Sequence, residues 1–208
     1  MPIFLFFIIA LFFLPYGFTI YSFVTLFTVP KQIWKVAKSK NIRRNHAIEH
    51  ATINVLEQSA GHQLNISGLS KEEGFYIAGI QNPQMVEDAA IQGLNLLKKG
   101  NCHIAIHRRC GTDMAIANFL SALIFLVLLF TTGMFSFLSI IIALFLSNLI
   151  SPYLGEYVQK YFTTSCDVRN MEIAGLEFEL GRQEESGLLF KHFPRGYFIR
   201  TENYLLDI

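Results

Sequence analysis

Residues 3–29 carry no charged side chain. A helix rises about 1.5 Å per residue, so this run reaches across a hydrocarbon core about 30 Å thick with some tilt. Pro15 predicts a kink in it. A cleaved signal peptide would need a basic start, a shorter apolar core and a small-residue cleavage site, and the segment has none of these. A second apolar stretch, residues 114–150, is too long for one span. Thr131-Thr132-Gly133 breaks it near the middle and predicts two helices in a tight hairpin, each half about 17 residues, at the lower end for spanning. The second half is expected to continue through Pro152 as a helix carrying Tyr153, Tyr157 and Tyr161, aromatics suited to a membrane interface. A re-entrant hairpin is the alternative.

Between and after these stretches the pattern changes. Residues 45–58 read as a helix with Ile48, Ala51, Val55 and Leu56 on one side. Two short β-like runs follow, 63–67 and 74–80, with 68–73 as the turn between them. Residues 83–99 read as a second helix, with Val86, Ala89, Ala90, Gly93, Leu94 and Leu97 at helical spacing, Pro83 at its start and Gly100 at its end. Residues 103–107 read as a third strand, and 108–111 lead into the second apolar stretch. Beyond the hairpin, residues 171–180 alternate as a strand, and 187–190 and 197–201 suggest two more. The expected fold is an integral membrane α-helical protein with three transmembrane helices, the last two a hairpin, and a small cytoplasmic α+β domain. Its expected divisions are transmembrane helix 1 (1–30), a cytoplasmic α+β domain (31–113), the transmembrane hairpin (114–151) and a cytoplasmic β-rich segment (152–208).

Composition supports this picture. Hydrophobic residues make up 52% of the 208 and charged residues 16%, the opposite of a disordered or nucleic-acid-binding chain. The net charge of +1 gives no global steering toward acidic partners. The local charge is more informative. Lys31, Lys35, Lys38, Lys40, Arg43 and Arg44 follow the first span directly, and the positive-inside rule places them in the cytoplasm. The N-terminus then lies outside, and both polar segments lie inside. Beside a span, the partner of such a cluster is anionic lipid rather than nucleic acid. The three cysteines, Cys102, Cys110 and Cys166, cannot all pair with one another and imply no disulfide scaffold. They fit a reduced compartment, where cysteine is inert or a ligand.

The chemistry concentrates at His46-Ala47-Ile48-Glu49-His50, an H-x-x-E-H spacing. Two histidines four apart share a helix face, so both imidazoles can bind one metal. Glu49 lies beside them, placed to act as general base toward the water such an ion activates. A polar helix face with pairing roles is the competing reading. A second cluster, His103, His107 and Cys110, precedes the second span. His103 and His107 share a face if this is a strand. Either His107 or Cys110 then supplies a third ligand, leaving the fourth position open. His62, His192, Cys102 and Cys166 are read as structural. Asp113 suits the positive end of the helix it opens. Asn65-Ile66-Ser67 matches a glycosylation sequon that a cytoplasmic loop cannot use.

His46-Ala47-Ile48-Glu49-His50-Ala51-Thr52-Ile53, followed by His107-Arg108-Arg109-Cys110-Gly111-Thr112 before an apolar helix, resembles an uncharacterised bacterial membrane family of predicted metal-dependent enzymes with E-H-x-T-I and H-P-x-C-G-T segments. Arg108 stands where that pattern has proline. Residues 74–79 and the Cys110-Gly111-Thr112 entry look closer still to a related domain of unknown function frequent in cyanobacteria. The resemblance covers roughly residues 45–175. It implies a membrane-bound metal site with His46, Glu49, His50, His107 and Cys110 as matched positions, in the bacterial inner membrane or, in a cyanobacterium, the thylakoid. It implies no substrate.

Two functional readings follow. The first is a membrane-associated metallohydrolase, a peptidase above all. It would hold zinc or another divalent transition metal through His46, His50 and His107 or Cys110, with Glu49 as base and a membrane protein or lipid as substrate. A domain of about 80 residues is small for an enzyme cleft, and the distant glutamate ligand of other H-x-x-E-H peptidases has only Glu156 as a weak candidate. The second is a non-catalytic assembly or scaffold protein whose metal shell is closed by all four of His46, His50, His107 and Cys110. A transporter or channel is a third reading, but three spans are few and residues 114–150 hold no charge to mark a polar path.

Overall fold

The computed structural model of the protein describes residues 2–133, 136–179 and 196–204. In chain order the elements are helix α1 (Pro2–Lys38), helix α2 (Lys40–Ala60), strand β1 (Ser67–Lys71), strand β2 (Gly74–Ala78), helix α3 (Pro83–Lys98), a 3-10 turn (Cys102–Ala105), helices α4 (Gly111–Thr132) and α5 (Phe137–Val158), a π-helical turn (Gln159–Thr163), and strands β3 (Met171–Glu179) and β4 (Gly196–Asn203). They divide into two units. A helical unit comprises Met1–Lys35 with Arg108–Gln159, and an α/β unit comprises Val36–His107 with Lys160–Ile208.

Among the described residues three helices are long and apolar enough to cross a membrane: Phe13–Lys38, Gly111–Thr132 and Phe137–Thr163. The first continues without interruption through Pro15 and Pro30. Gly133 divides the second from the third, as the sequence predicts. It adopts φ 65° at the end of α4 and donates its N–H to the Leu129 carbonyl, a left-handed cap that side chains with a Cβ resist. Ser136 then caps α5 by accepting the Ser139 N–H. Along α5, Ser139, Ala143, Ser147, Ser151 and Gly155 are all buried. They recur every fourth residue, so small side chains form one stripe where a neighbouring backbone can approach closely. Phe125 of α4 is fully buried and meets the edge of Phe18 of α1 at 4.8 Å between ring centroids. At the other end Asp113 packs over Gly155, where a methyl would come within 2.2 Å of its Oδ1. Asp113 also accepts from Gln159 Nε2 at 2.6 Å, a partner beyond the helix-dipole role its position suggests.

The α/β unit is a four-stranded antiparallel sheet, order β1-β2-β4-β3, with α2 and α3 packed on it. Phe75 and Ile77 of β2, Ile199 of β4 and Met171 of β3 meet Ile48, Ala51, Val86 and Leu94 of the helices in one core. The alternation Phe75/Ile77 against Tyr76 is the period-2 signature of a half-buried strand, and Tyr76 instead stacks on Phe198, 4.7 Å between centroids, away from that core. The strands that follow the third apolar helix thus complete the sheet begun before the second: Phe75 pairs with Ile199 and Glu172 with Glu202. α3 begins at its predicted Pro83, with Asn82 capping the Gln84 N–H. Gly93 lets it approach α2, since a Cβ there would lie 3.0 Å from that of Ala51.

Three expectations are corrected. The first strand is Ser67–Lys71, not 63–67, and the turn is Glu72-Glu73 rather than 68–73. The strand escaped notice because its half-buried positions, Gly68, Ser70 and Lys71, carry no apolar side chain. Residues 103–107 are not a strand: Cys102–Ala105 forms a 3-10 turn. Its carbonyls, with that of Ile106, serve side chains of α2 instead of a neighbouring strand. Helix α2 begins at Lys40 instead of 45, capped by Ser39. The strand expected at 187–190 lies outside the described residues, as does His192.

Candidate metal centre

Helix α2 sets the histidines. His46, Glu49 and His50 lie at positions i, i+3 and i+4 on one face, and all three are buried. The rings of His46 and His50 stand 4.3 Å apart, and each offers a nitrogen within 4.8 Å of the other's. The His107 ring follows at 5.9 Å from that of His50.

Two peptide segments orient the pair. His46 Nδ1 is 2.9 Å from the Thr163 carbonyl, and His50 Nδ1 is 2.8 Å from the Ala105 carbonyl. A carbonyl only accepts, so each Nδ1 carries the proton, and in the neutral ring Nε2 then presents its lone pair. This is the arrangement that outer partners impose on metal-binding histidines. His50 Nε2 is buried and has no hydrogen-bond partner. Among the described residues three other buried side-chain atoms share that condition, Ser22 Oγ, Thr163 Oγ1 and Arg44 Nε. Two of these are hydroxyls and one is a guanidinium N–H, so His50 Nε2 is the one imidazole lone pair among them. Burial, and secondly the His46 ring, push His50 down from 6.5 to about 3, against the Glu49 carboxylate and the Ala105 hydrogen bond, which pull it up. The neutral imidazole that a metal requires is therefore the resting form.

Each orienting segment is itself held. Arg43 donates from Nη2 to the Thr164 and Tyr161 carbonyls, and Ser165 N–H returns to the Arg43 carbonyl. Arg44 binds Asp167 at 2.7 Å and Asn203 at 3.1 Å. These two arginines, read from sequence as part of a lipid-facing cluster, thus tie α2 to residues 161–167. Asn54 Nδ2 donates to the Ile104 and Ile106 carbonyls on either side of Ala105. Asn45, fully buried, donates to the Lys71 and Glu72 carbonyls and accepts from Thr201 Oγ1.

Glu49 points its carboxylate at β1. The Ser70 hydroxyl donates to Oε2, and Gly68 leaves room for Oε1, since a Cβ there would lie 2.1 Å from it. His107 Nε2 lies 3.3 Å from Glu57 Oε2. Cys110 belongs to the helical unit, where its Sγ caps α4 by accepting the Thr112 N–H at 3.3 Å. His103 and Glu156 are exposed on the turn and on α5, and exposed His62 bonds the nearby Ala60 carbonyl.

Sequence reasoning missed Asn45, Asn54, Gly68, Ser70 and the two orienting carbonyls. A signal for two of them was present: Gly68 and Ser70 are two apart, hence on one face of a strand, and a small pair there makes room for a large partner. The carbonyls of Thr163 and Ala105 left no trace in side-chain pattern.

The profile of a family described as a domain of unknown function, DUF6391, matches residues 41–176. That bears out the resemblance to an uncharacterised cyanobacterial family over roughly the span its motifs indicated. An uncharacterized protein of the cyanobacterium Picosynechococcus is 30% identical over 144 residues, which is 60% of this chain and 66% of that protein. The chain thus spans just under two thirds of that relative's length. No solved structure matches the chain.

Proposed function

This chain belongs to the DUF6391 family, and we propose that it is a membrane-bound metal-dependent hydrolase, a peptidase above all, whose site is built on His46, Glu49, His50 and Cys110. The observation that carries this reading is the buried, partnerless Nε2 of His50 beside His46, each ring fixed by a backbone carbonyl. His46 and His50 would hold zinc or another divalent transition metal, with Cys110 as third ligand. Cys110 follows His107 by three residues, a chain reach of about 11 Å, and the His107 ring is 5.9 Å from that of His50. Its position at the N-terminus of α4 favours negative charge. The engagement of His107 with Glu57 supports a shell of three protein ligands, the catalytic pattern, over a closed shell of four. When bound, such an ion acts as a Lewis acid toward a substrate carbonyl. Glu49 takes the proton of the attacking water and delivers it to the leaving group, and Ser70 holds its carboxylate.

The three helices long and apolar enough to cross a membrane support a location in a membrane, the bacterial inner membrane or a thylakoid. Exposed Lys31 and Lys35, with Lys38 and Lys40, support a cytoplasmic side for the α/β unit through the positive-inside rule, with lipid head groups as their partners. A membrane protein or a lipid is then the accessible substrate. A second reading has its own support: His50 is only 1% exposed and the Glu49 carboxylate already accepts a hydroxyl. Both suit a structural metal in an assembly factor.

The first experiment is elemental mass spectrometry of the detergent-purified chain, purified without chelator, beside a His46→Ala/His50→Ala variant. About one transition metal per chain, lost in the variant, is expected. No stoichiometric metal in the parent overturns both readings. Glu49→Gln with metal retained then separates them: hydrolysis of a membrane-protein or lipid ester substrate that disappears supports the enzyme, and unchanged function in assembly supports the scaffold.

A further inference from the structure

Two cysteines set aside as structural lie together on the α/β unit. Cys102 opens the 3-10 turn and is exposed, while Cys166 is half-buried against the edge of the core. Cys166 Sγ donates to the Cys102 carbonyl at 3.8 Å. They are 64 residues apart in sequence, so the fold, not the chain, brings them together.

Their location gives the contact a consequence. Cys102 precedes Ala105, whose carbonyl orients His50, by three residues, and Cys166 follows Thr163, whose carbonyl orients His46, by three. The two cysteines therefore sit at the meeting point of the two peptide segments that aim the histidines. We propose that Cys102 and Cys166 are a reversible redox pair, and that their disulfide clamps these two segments and with them the histidine pair.

The chemistry balances with a peroxide as oxidant. The Cys102 sulfur attacks one peroxide oxygen, the O–O bond breaks, and a sulfenic acid and water result. The Cys166 sulfur then attacks the Cys102 sulfur, the S–O bond breaks, and a second water leaves with the Cys166 proton. Two thiols lose two electrons and two protons, and hydrogen peroxide is reduced to two waters. Order of attack follows from exposure and charge. Cys102 is the accessible sulfur, whereas burial and the Cys102 contact push Cys166 up to about 12, which keeps it a protonated thiol until Cys102 has been oxidised. A pair of this kind suits a reducing compartment, where disulfides are transient and sensory rather than structural.

The test uses the full chain in detergent, with hydrogen peroxide as the probe. Peptide mass spectrometry should show a Cys102–Cys166 linkage that dithiothreitol reverses and that neither Cys102→Ser nor Cys166→Ser forms, with the Cys110 thiol left free. Over-oxidised Cys102 beside an intact Cys166 thiol overturns the pair, as does a linkage through Cys110. The clamp is read separately. In zinc-loaded protein the oxidised form should lose metal to a chelator about tenfold more slowly than the reduced form, the lower end of what outer partners contribute to metal affinity. Equal rates overturn the clamp. That second arm rests on the metal reading, but the linkage is read by mass whether or not the protein holds metal, so the two failures are distinguishable.

Discussion

The two units differ in how far their polar side chains reach for partners. In the helical unit, hydroxyls bond within their own helix, three or four residues back: Thr19 to the Pro15 carbonyl, Ser121 to Asn118, Ser147 to Leu144. In the α/β unit several buried side chains reach across elements, whereas Thr52 bonds the Ile48 carbonyl of its own helix. Asn45 reaches Thr201, 156 residues away. His46 reaches Thr163, 117 away, and His50 reaches Ala105, 55 away. A hydroxyl that bonds its own helix specifies no partner, so packing there falls to shape, the stripe of small residues along α5. A side chain that bonds a distant carbonyl fixes one arrangement of the fold, and its loss leaves unpaired groups on both sides. Among the described residues of the helical unit, Asp113 with Gln159 departs from this pattern, and Ser22 Oγ is buried without a partner.

The largest effect expected from this contrast is at Asn45. Asn45→Ala removes two donated bonds and one accepted bond at a fully buried position. It should cost about 3 kcal/mol, because the Thr201 hydroxyl and two carbonyls lose their partner together. Denaturant unfolding followed by circular dichroism in detergent measures it. A loss under about 1 kcal/mol would mean that these long-range bonds do not decide the fold.

Acid tests the same unit through His50. Its folded value is depressed from 6.5 to about 3, so the unfolded chain takes up the proton first. The sign follows: stability is fully present above pH 6.5 and is lost as pH falls toward about 3. The slope is about 1.4 kcal/mol per pH unit at most, or roughly 2–3 kcal/mol by about pH 4.5. Metal-free protein should show this loss, and His50→Gln should remove that part of it. Identical pH profiles for the two would exclude His50 as the titrating group.

Gly68→Ala should act more mildly. Its new methyl would meet the Glu49 carboxylate, a flexible side chain that can turn aside and give up Ser70. A cost of about 1–2 kcal/mol is expected, with Ser70→Ala close to it. If Gly68→Ala is neutral, Glu49 has a second resting place, and the Ser70 contact does not position it.

What the sequence disclosed follows the same division. The apolar helices, their break at Gly133 and helix α3 were legible because each is a local pattern, a hydrophobic run or a 3.6-residue period closed by a cap. The His46–Glu49–His50 face was legible for the same reason. Strand β1 was not, because Gly68 and Ser70 take their meaning from Glu49, nineteen and twenty-one residues earlier in the chain. The turn at Cys102–Ala105 was not, because its carbonyls serve Asn54 and His50. Nor was the joining of β2 to β4, since no local period says which strands pair. Arg43 and Arg44 were legible as charge but not as ties to residues 161–167.

The smallest effect is the sharpest control. Ser147 is 2% exposed and sits in the middle of the α5 stripe. Its hydroxyl bonds the Leu144 carbonyl, which also accepts from Asn148. Ser147→Ala keeps the side chain small and leaves that carbonyl served, so unfolding in detergent should change by less than about 0.5 kcal/mol. Ser147→Leu keeps the helix but fills the stripe, and overpacking of this kind costs about 1–3 kcal/mol. A buried hydroxyl that is dispensable, at a position where bulk is not, is the signature of packing by shape. Should Ser147→Ala instead cost as much as Asn45→Ala, the hydroxyls of the helical unit would be specifying partners too, and the difference between the two units would be one of residue type alone.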